Sequence, residues 1–91
     1  MKFNPIYQNS FKKSLKLCNK RGYPIDLLEE IMIKLQNGVA LDASKNRPHQ
    51  LSGTNPQIIE CHITSDWLLE YRYNDDNIIF IDTGTHSDLF K

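Results

Sequence analysis

A chain of 91 residues with 11 basic and 11 acidic side chains, neutral overall, has material for one modest core and no second domain. No apolar run approaches the roughly 20 residues that cross a bilayer, and the opening M-K-F-N-P-I-Y lacks the apolar stretch of a secretory signal, so the expected address is the cytoplasm, with no membrane partner. Cys18 and Cys61 are too few for a disulfide framework and have no CxxC or His/Cys spacing, so they read as reduced, buried small hydrophobes.

Lys2 to Tyr7 form the first expected strand, which Pro5 confines to an edge or an irregular pairing. Ser10 is the expected N-cap of a helix that runs to Arg21, buries Phe11, Leu15 and Cys18, and stops at Gly22. Its other faces carry Lys12, Lys13, Lys16 and Lys20. These lysines, with Lys2 and Arg21, all precede the first acidic residue, Asp26. Such asymmetry suits an anionic partner on one face, whereas overall neutrality argues against indiscriminate nucleic-acid binding. A second helix begins near Pro24 to Asp26, stacks Leu28, Ile31, Met32 and Leu35 on one stripe, and ends at Asn37-Gly38. The two helices form an antiparallel hairpin.

Leu41 to Gln57 is rich in turn formers and reads as a long exposed loop, a length that raises the prior for a site there. Three strands follow, Ile58 to Ile63, Trp67 to Tyr73 and Ile78 to Thr83, joined by short turns as an antiparallel meander. Period-2 alternation with three-residue turns directs Ile59, Cys61, Ile63, Trp67, Leu69, Tyr71, Ile79 and Ile81 toward the helices. It directs Glu60, His62, Leu68, Glu70, Arg72, Phe80 and Asp82 to the opposite, open face. The fold class is α+β: an N-terminal strand and helical hairpin packed on one face of an antiparallel sheet, with a short C-terminal tail or helical turn.

All three histidines lie in the C-terminal half, His49 in the long loop, His62 on the open face and His86 just past the last strand. With Asp66 nearby they suit general acid and base work near neutral pH, or a metal site. Metal sites usually include a close pair such as HxxxH, and no such pair exists here, so neither a metal nor another cofactor is expected. No GxSxG, phosphate-loop, dinucleotide-binding or EF-hand pattern is present, and no cysteine is placed as a nucleophile beside a histidine on the same face, Cys61 and His62 being strand neighbours that point to opposite faces.

Three strings, R-P-H49-Q-L-S-G, E-C-H62-I-T-S-D66-W67-L-L-E-Y and T-G-T-H86-S-D-L-F90, resemble the YafQ branch of the RelE/ParE toxin superfamily, and the resemblance extends over the whole chain. It implies a RelE-like fold and a ribosome-dependent endoribonuclease that cuts messenger RNA in the A site without a metal. In that reaction a ribose 2′-hydroxyl attacks the adjacent phosphate, leaving a 2′,3′-cyclic phosphate and a free 5′-hydroxyl. By the same resemblance His49, His62, Asp66 and His86 are the acid/base set, with His86 or Asp66 the base, while Trp67 and Phe90 hold or stack the substrate. Lys12, Lys13, Lys16, Lys20 and Arg21 would contact ribosomal RNA. A cognate antitoxin is the implied protein partner, and any DNA contact would come through it.

One position departs from the family pattern. Asp82 stands where the family commonly has an arginine that neutralises the scissile phosphate, so Arg72 or Arg47 is the expected substitute cation. The alternatives are a weakened toxin that chiefly binds its antitoxin, and a ParE-like inhibitor of gyrase, which needs no acid/base histidines.

Overall fold

The computed structural model describes residues 2–54 and 57–90. In chain order the elements are β1 (Asn4–Tyr7), α1 (Asn9–Lys20), α2 (Ile25–Gln36), α3 (Ala43–Asn46), β2 (His49–Gln50), β3 (Ile59–Thr64), β4 (Trp67–Asn74), β5 (Asn77–Gly84) and α4 (His86–Leu89). The strands form one sheet in the order β1-β5-β4-β3-β2. The antiparallel meander is present, but β1 joins it parallel to β5, with Asn4 opposite Asn77 and Tyr7 opposite Phe80, so the sheet is mixed. Pro5 sits in this edge strand, where the missing N–H deprives no neighbour of a ladder bond.

One face of the sheet carries the core. Phe11 and Cys18 of α1, and Leu28, Ile31, Met32 and Leu35 of α2, pack with Cys61, Ile63, Trp67, Leu69, Tyr71, Ile78 and Phe80. Helix α1 ends as its glycine requires: Gly22 has φ +78°. Its start differs from expectation. The helix begins at Asn9 behind Gln8, and the Ser10 hydroxyl, instead of capping, donates to the Ile81 carbonyl at 2.5 Å.

The parity of β5 is also inverted at its start. Two residues, not three, link β4 to β5, so Asn74 pairs with Asn77 and Tyr71 with Phe80. An even link places Ile78 and Phe80, rather than Ile79 and Ile81, on the side of Tyr71 and Tyr73, and both are fully buried there. A bulge then skips Ile81 and restores Asp82 opposite Glu70. At this bulge the Ile81 carbonyl accepts from the Ser10 hydroxyl. Ser14 anchors the same segment by donating to Asp82 Oδ1, which also accepts the Thr83 N–H at 2.9 Å.

The segment expected as one long loop is partly ordered. Asp42 caps α3 by accepting the N–H groups of Ser44 and Lys45, and Arg47 closes the turn at φ +42°. The buried Asn46 donates from Nδ2 to the His62 carbonyl at 2.8 Å, which pins α3 to β3 and delivers the following residues as β2. Both cysteines are free and buried, and burial pushes the Cys61 thiol up to about 12. No helix among the described residues is long and apolar enough to cross a membrane.

Candidate active site

The second face of the sheet is built in rows. Across β2, β3, β4 and β5 one row reads His49, Glu60, Glu70, Asp82, and the next reads His62, Leu68, Gly84 across β3, β4 and β5. The face is less open than its sequence suggests: Glu60, His62, Leu68 and Ile79 are all buried. His86 follows two residues after Gly84, at the first position of α4. Thr85 caps that turn in a reciprocal box with Asp88, each side chain accepting the other residue's N–H. Arg21 grips Asp88 at 2.7 Å from the end of α1 and holds its carboxyl well below the usual carboxylate range. Arg21, expected on the ribosome-facing surface, is thereby committed to fixing the turn that carries His86.

The three imidazoles converge. The His62 ring lies 6.4 Å from His49 and 5.9 Å from His86, and Phe90, half exposed, lies 6.2 Å from His86. Each ring is held differently. His86 Nδ1 stands 2.7 Å from Asp66 Oδ1, which also accepts the His86 backbone N–H at 3.2 Å. These bonds lower the Asp66 carboxyl below its ordinary value, so it is an anion that accepts from Nδ1, which leaves Nε2 as the ring nitrogen not engaged by Asp66. His62 Nδ1 faces the Arg47 guanidinium at 3.3 Å; a guanidinium only donates, so that ring carries its proton on Nε2. His49 presents Nδ1 to the Arg47 carbonyl at 3.1 Å and Nε2 to Glu60 Oε1 at 3.3 Å. The carbonyl only accepts, so Nδ1 is the donor there, and Nε2 is the nitrogen turned toward Glu60.

Glu60 was not singled out from the sequence. Its side chain is 5% exposed, Oε1 faces His49, and Oε2 is buried with no hydrogen-bond partner. The sequence signal existed, a carboxylate on the same strand face as His62, but the pairing with His49 depends on β2, which lay inside the expected loop.

Other expected site residues sort by place. Trp67 is 2% exposed; its indole N–H donates to Thr83 Oγ1 at 2.9 Å and Tyr23 packs edge-on against it at 5.2 Å. The expectation that Trp67 stacks on substrate therefore gives way to a core role, because no face of the ring is available. Of the two candidate cations, Arg47 reaches the imidazoles. Arg72 lies two rows from His62 on the same face, about 13 Å along the strand. Asp82 belongs to Glu70's row as expected, but Ser14 and the Thr83 N–H hold its carboxylate. Lys12, Lys13, Lys16 and Lys20 are all exposed along α1.

Residues 3–91 match the family model described as the bacterial toxin of type II toxin–antitoxin system, YafQ. The chain is 31% identical to the mRNA interferase toxin YafQ of Escherichia coli K12 over 84 residues, covering 92% of this chain and 91% of that protein. Among solved structures it is similar to YafQ in the E. coli DinJ–YafQ toxin–antitoxin complex, with a TM-score of 0.90, 29% identity and full coverage of both chains. It is also similar to a metal-bound toxin from Helicobacter pylori, with a TM-score of 0.90, 29% identity and coverage of 97% of this chain and 99% of that one. Fold, sequence and family model agree, and the chain belongs to the YafQ family of type II toxin–antitoxin toxins.

Proposed function

We propose that this toxin is an endoribonuclease that cuts messenger RNA in the ribosomal A site by metal-independent acid/base chemistry. The observation that supports this best is the asymmetric arrangement of carboxylate partners around the three rings. His86 has Nδ1 committed to Asp66 and Nε2 not engaged by it, whereas His49 turns Nε2 toward the Glu60 carboxyl. His86 takes the proton of the ribose 2′-hydroxyl, and the 2′-oxygen attacks phosphorus. The bond to the 5′-oxygen breaks as the His49–Glu60 pair protonates that oxygen, giving a 2′,3′-cyclic phosphate and a 5′-hydroxyl. The Nε2–H of His62 and the Arg47 guanidinium meet the non-bridging oxygens, and Phe90 offers a ring face to a base.

Lys12, Lys13, Lys16 and Lys20 serve as the cationic strip for ribosomal RNA phosphates, in the cytoplasm where ribosomes work. A cognate antitoxin restrains the activity, as the E. coli relative's complex with DinJ suggests, and DNA contact passes through that partner. The decisive experiment maps cleavage of messenger RNA on programmed ribosomes at constant magnesium, using toxin first stripped of bound metal by chelation and dialysis, for wild type and His86→Ala. Cleavage requiring the ribosome, shown by the stripped toxin and absent in His86→Ala, is expected. No cleavage by stripped toxin with recovery on adding back a transition metal would overturn the metal-independent step, and gyrase inhibition without cleavage would overturn the nuclease reading.

A further inference from the structure

The chemistry above uses His49 and Glu60 but not the residue beyond them in the same row. Glu70 stands directly opposite Glu60 on β4, and Asp82 stands directly opposite Glu70 on β5, so three carboxylates occupy adjacent positions across the sheet. Directly opposed side chains in such a pair have Cβ atoms roughly 5 Å apart, within reach of two carboxyl groups. Like charges so placed, on a half-buried face, cannot all ionise without penalty.

The three differ in what satisfies them. Asp82 has the Ser14 hydroxyl and the Thr83 N–H. Glu60 has His49 on Oε1, but its Oε2 is buried and lacks a donor. An unpaired buried carboxylate oxygen is costly, and a hydrogen-bond donor in the adjacent position removes that cost.

We propose that Glu70 is a positioning residue that keeps its own proton and donates it to Glu60 Oε2, so that Glu60 and Glu70 act as one carboxylic acid–carboxylate pair behind His49. Burial, then the charges of Asp82 and Glu60, push Glu70 up to about 7, which fits a group that holds its proton well above the ordinary carboxylate range. The neighbours that bear on it are Glu60 and, beyond it, His49; Asp82 on the other side; Arg72 two positions along its own strand; and His62 on the diagonal. The pair has a definite consequence for the reaction. While Glu70 holds its proton, Glu60 is anchored at Oε2 and presents Oε1 to His49. Once Glu70 ionises, two carboxylates repel, Glu60 loses its anchor, and the row acquires a further negative charge beside an incoming phosphate.

The catalytic part of this inference rests on the nuclease reading, whereas the proton pair does not. The first test therefore needs no substrate: carbon-13 NMR of the glutamate carboxyl groups in the whole protein, from pH 4 to 9. Glu70 is expected to titrate near neutrality in wild type and to move toward the ordinary glutamate range in Glu60→Gln. Titration of Glu70 in the ordinary range in wild type, or no response to Glu60→Gln, overturns the pair. The second test compares pH profiles of cleavage for wild type, Glu70→Gln and Glu70→Leu. Glutamine keeps a donor for Oε2 and cannot ionise, so its profile should lose the fall centred near neutrality, while Glu70→Leu, with no donor, should be slower at every pH. Superposable profiles for wild type and Glu70→Gln overturn the role in the reaction. Absence of cleavage by wild type at any pH would count against the nuclease reading, and the NMR result would still stand or fall alone.

Discussion

One oxygen of Asp66 accepts both the ring Nδ1 and the backbone N–H of His86, at 2.7 and 3.2 Å, so a single carboxylate fixes the imidazole and the turn that carries it. His86→Ala should lower single-turnover cleavage by roughly 100- to 10,000-fold, the range for a positioned general base. Asp66→Ala should cost about 10- to 100-fold, as loss of an outer carboxylate that orients an imidazole does. Rates measured on stalled ribosome complexes check both, and an Asp66→Ala enzyme as slow as His86→Ala would make Asp66 the base.

Trp67 belongs to the core, and its substitution tests that placement against substrate stacking. Trp67→Phe removes the donor to Thr83 Oγ1 and part of the ring that Tyr23 packs against, so urea unfolding should show a loss of about 1–3 kcal/mol. Cleavage per folded molecule should be unchanged. Phe90→Ala should behave oppositely, with weaker cleavage and little change in stability.

Arg47 and Arg72 separate cleanly by row. Removing a preorganised cation at the phosphate costs roughly 100-fold or more, and Arg47→Ala should show that loss. Arg72→Ala should leave the cleavage rate unchanged. Measurement at two salt concentrations distinguishes a local effect from a general loss of positive charge.

Asp82 is tied into the fold by two donors. Its carboxylate is engaged by Ser14 and the Thr83 N–H, where it ties the bulged end of β5 to α1. Asp82→Arg should not raise the cleavage rate; it strips two donors of their acceptor and should destabilise by about 1–3 kcal/mol, read by urea unfolding. A faster Asp82→Arg enzyme would restore the view that the position is a crippled phosphate clamp.

Glu70 makes stability depend on pH with a definite sign. Its folded value, about 7, lies above the ordinary 4.5, so the folded state binds more protons between those values. Stability from this group is fully present below pH 4.5 and falls as pH rises toward 7. Thermal unfolding of Glu70→Gln beside wild type should show the variant gaining relative stability across that interval and holding the gain above it.

The helices, the meander and the identity of the histidines were legible because each rests on local pattern: a 3.6-residue stripe, short turns, residue type. Parity in β5 was not, because it depends on whether the link after Asn74 counts two residues or three, and composition alone does not say. Asp82 still reached its expected side, since the even link and the bulge at Ile81 shift the phase twice. Glu60 escaped notice for a related reason. Its partner His49 is placed by Asn46 bonding to the His62 carbonyl, a contact across 16 positions that no window of sequence contains. Trp67 misled in the opposite way, since an aromatic beside a catalytic motif resembles a stacking platform until its burial is known.

Arg21 and Asp88 are 67 positions apart, yet they close the frame around His86. Ser10 and Ser14 reach across a similar span to Ile81 and Asp82. A chain growing from its N-terminus therefore makes one half of this frame early and must wait for the other. Until residues 82 to 88 have docked on α1, the turn that carries His86 has no scaffold.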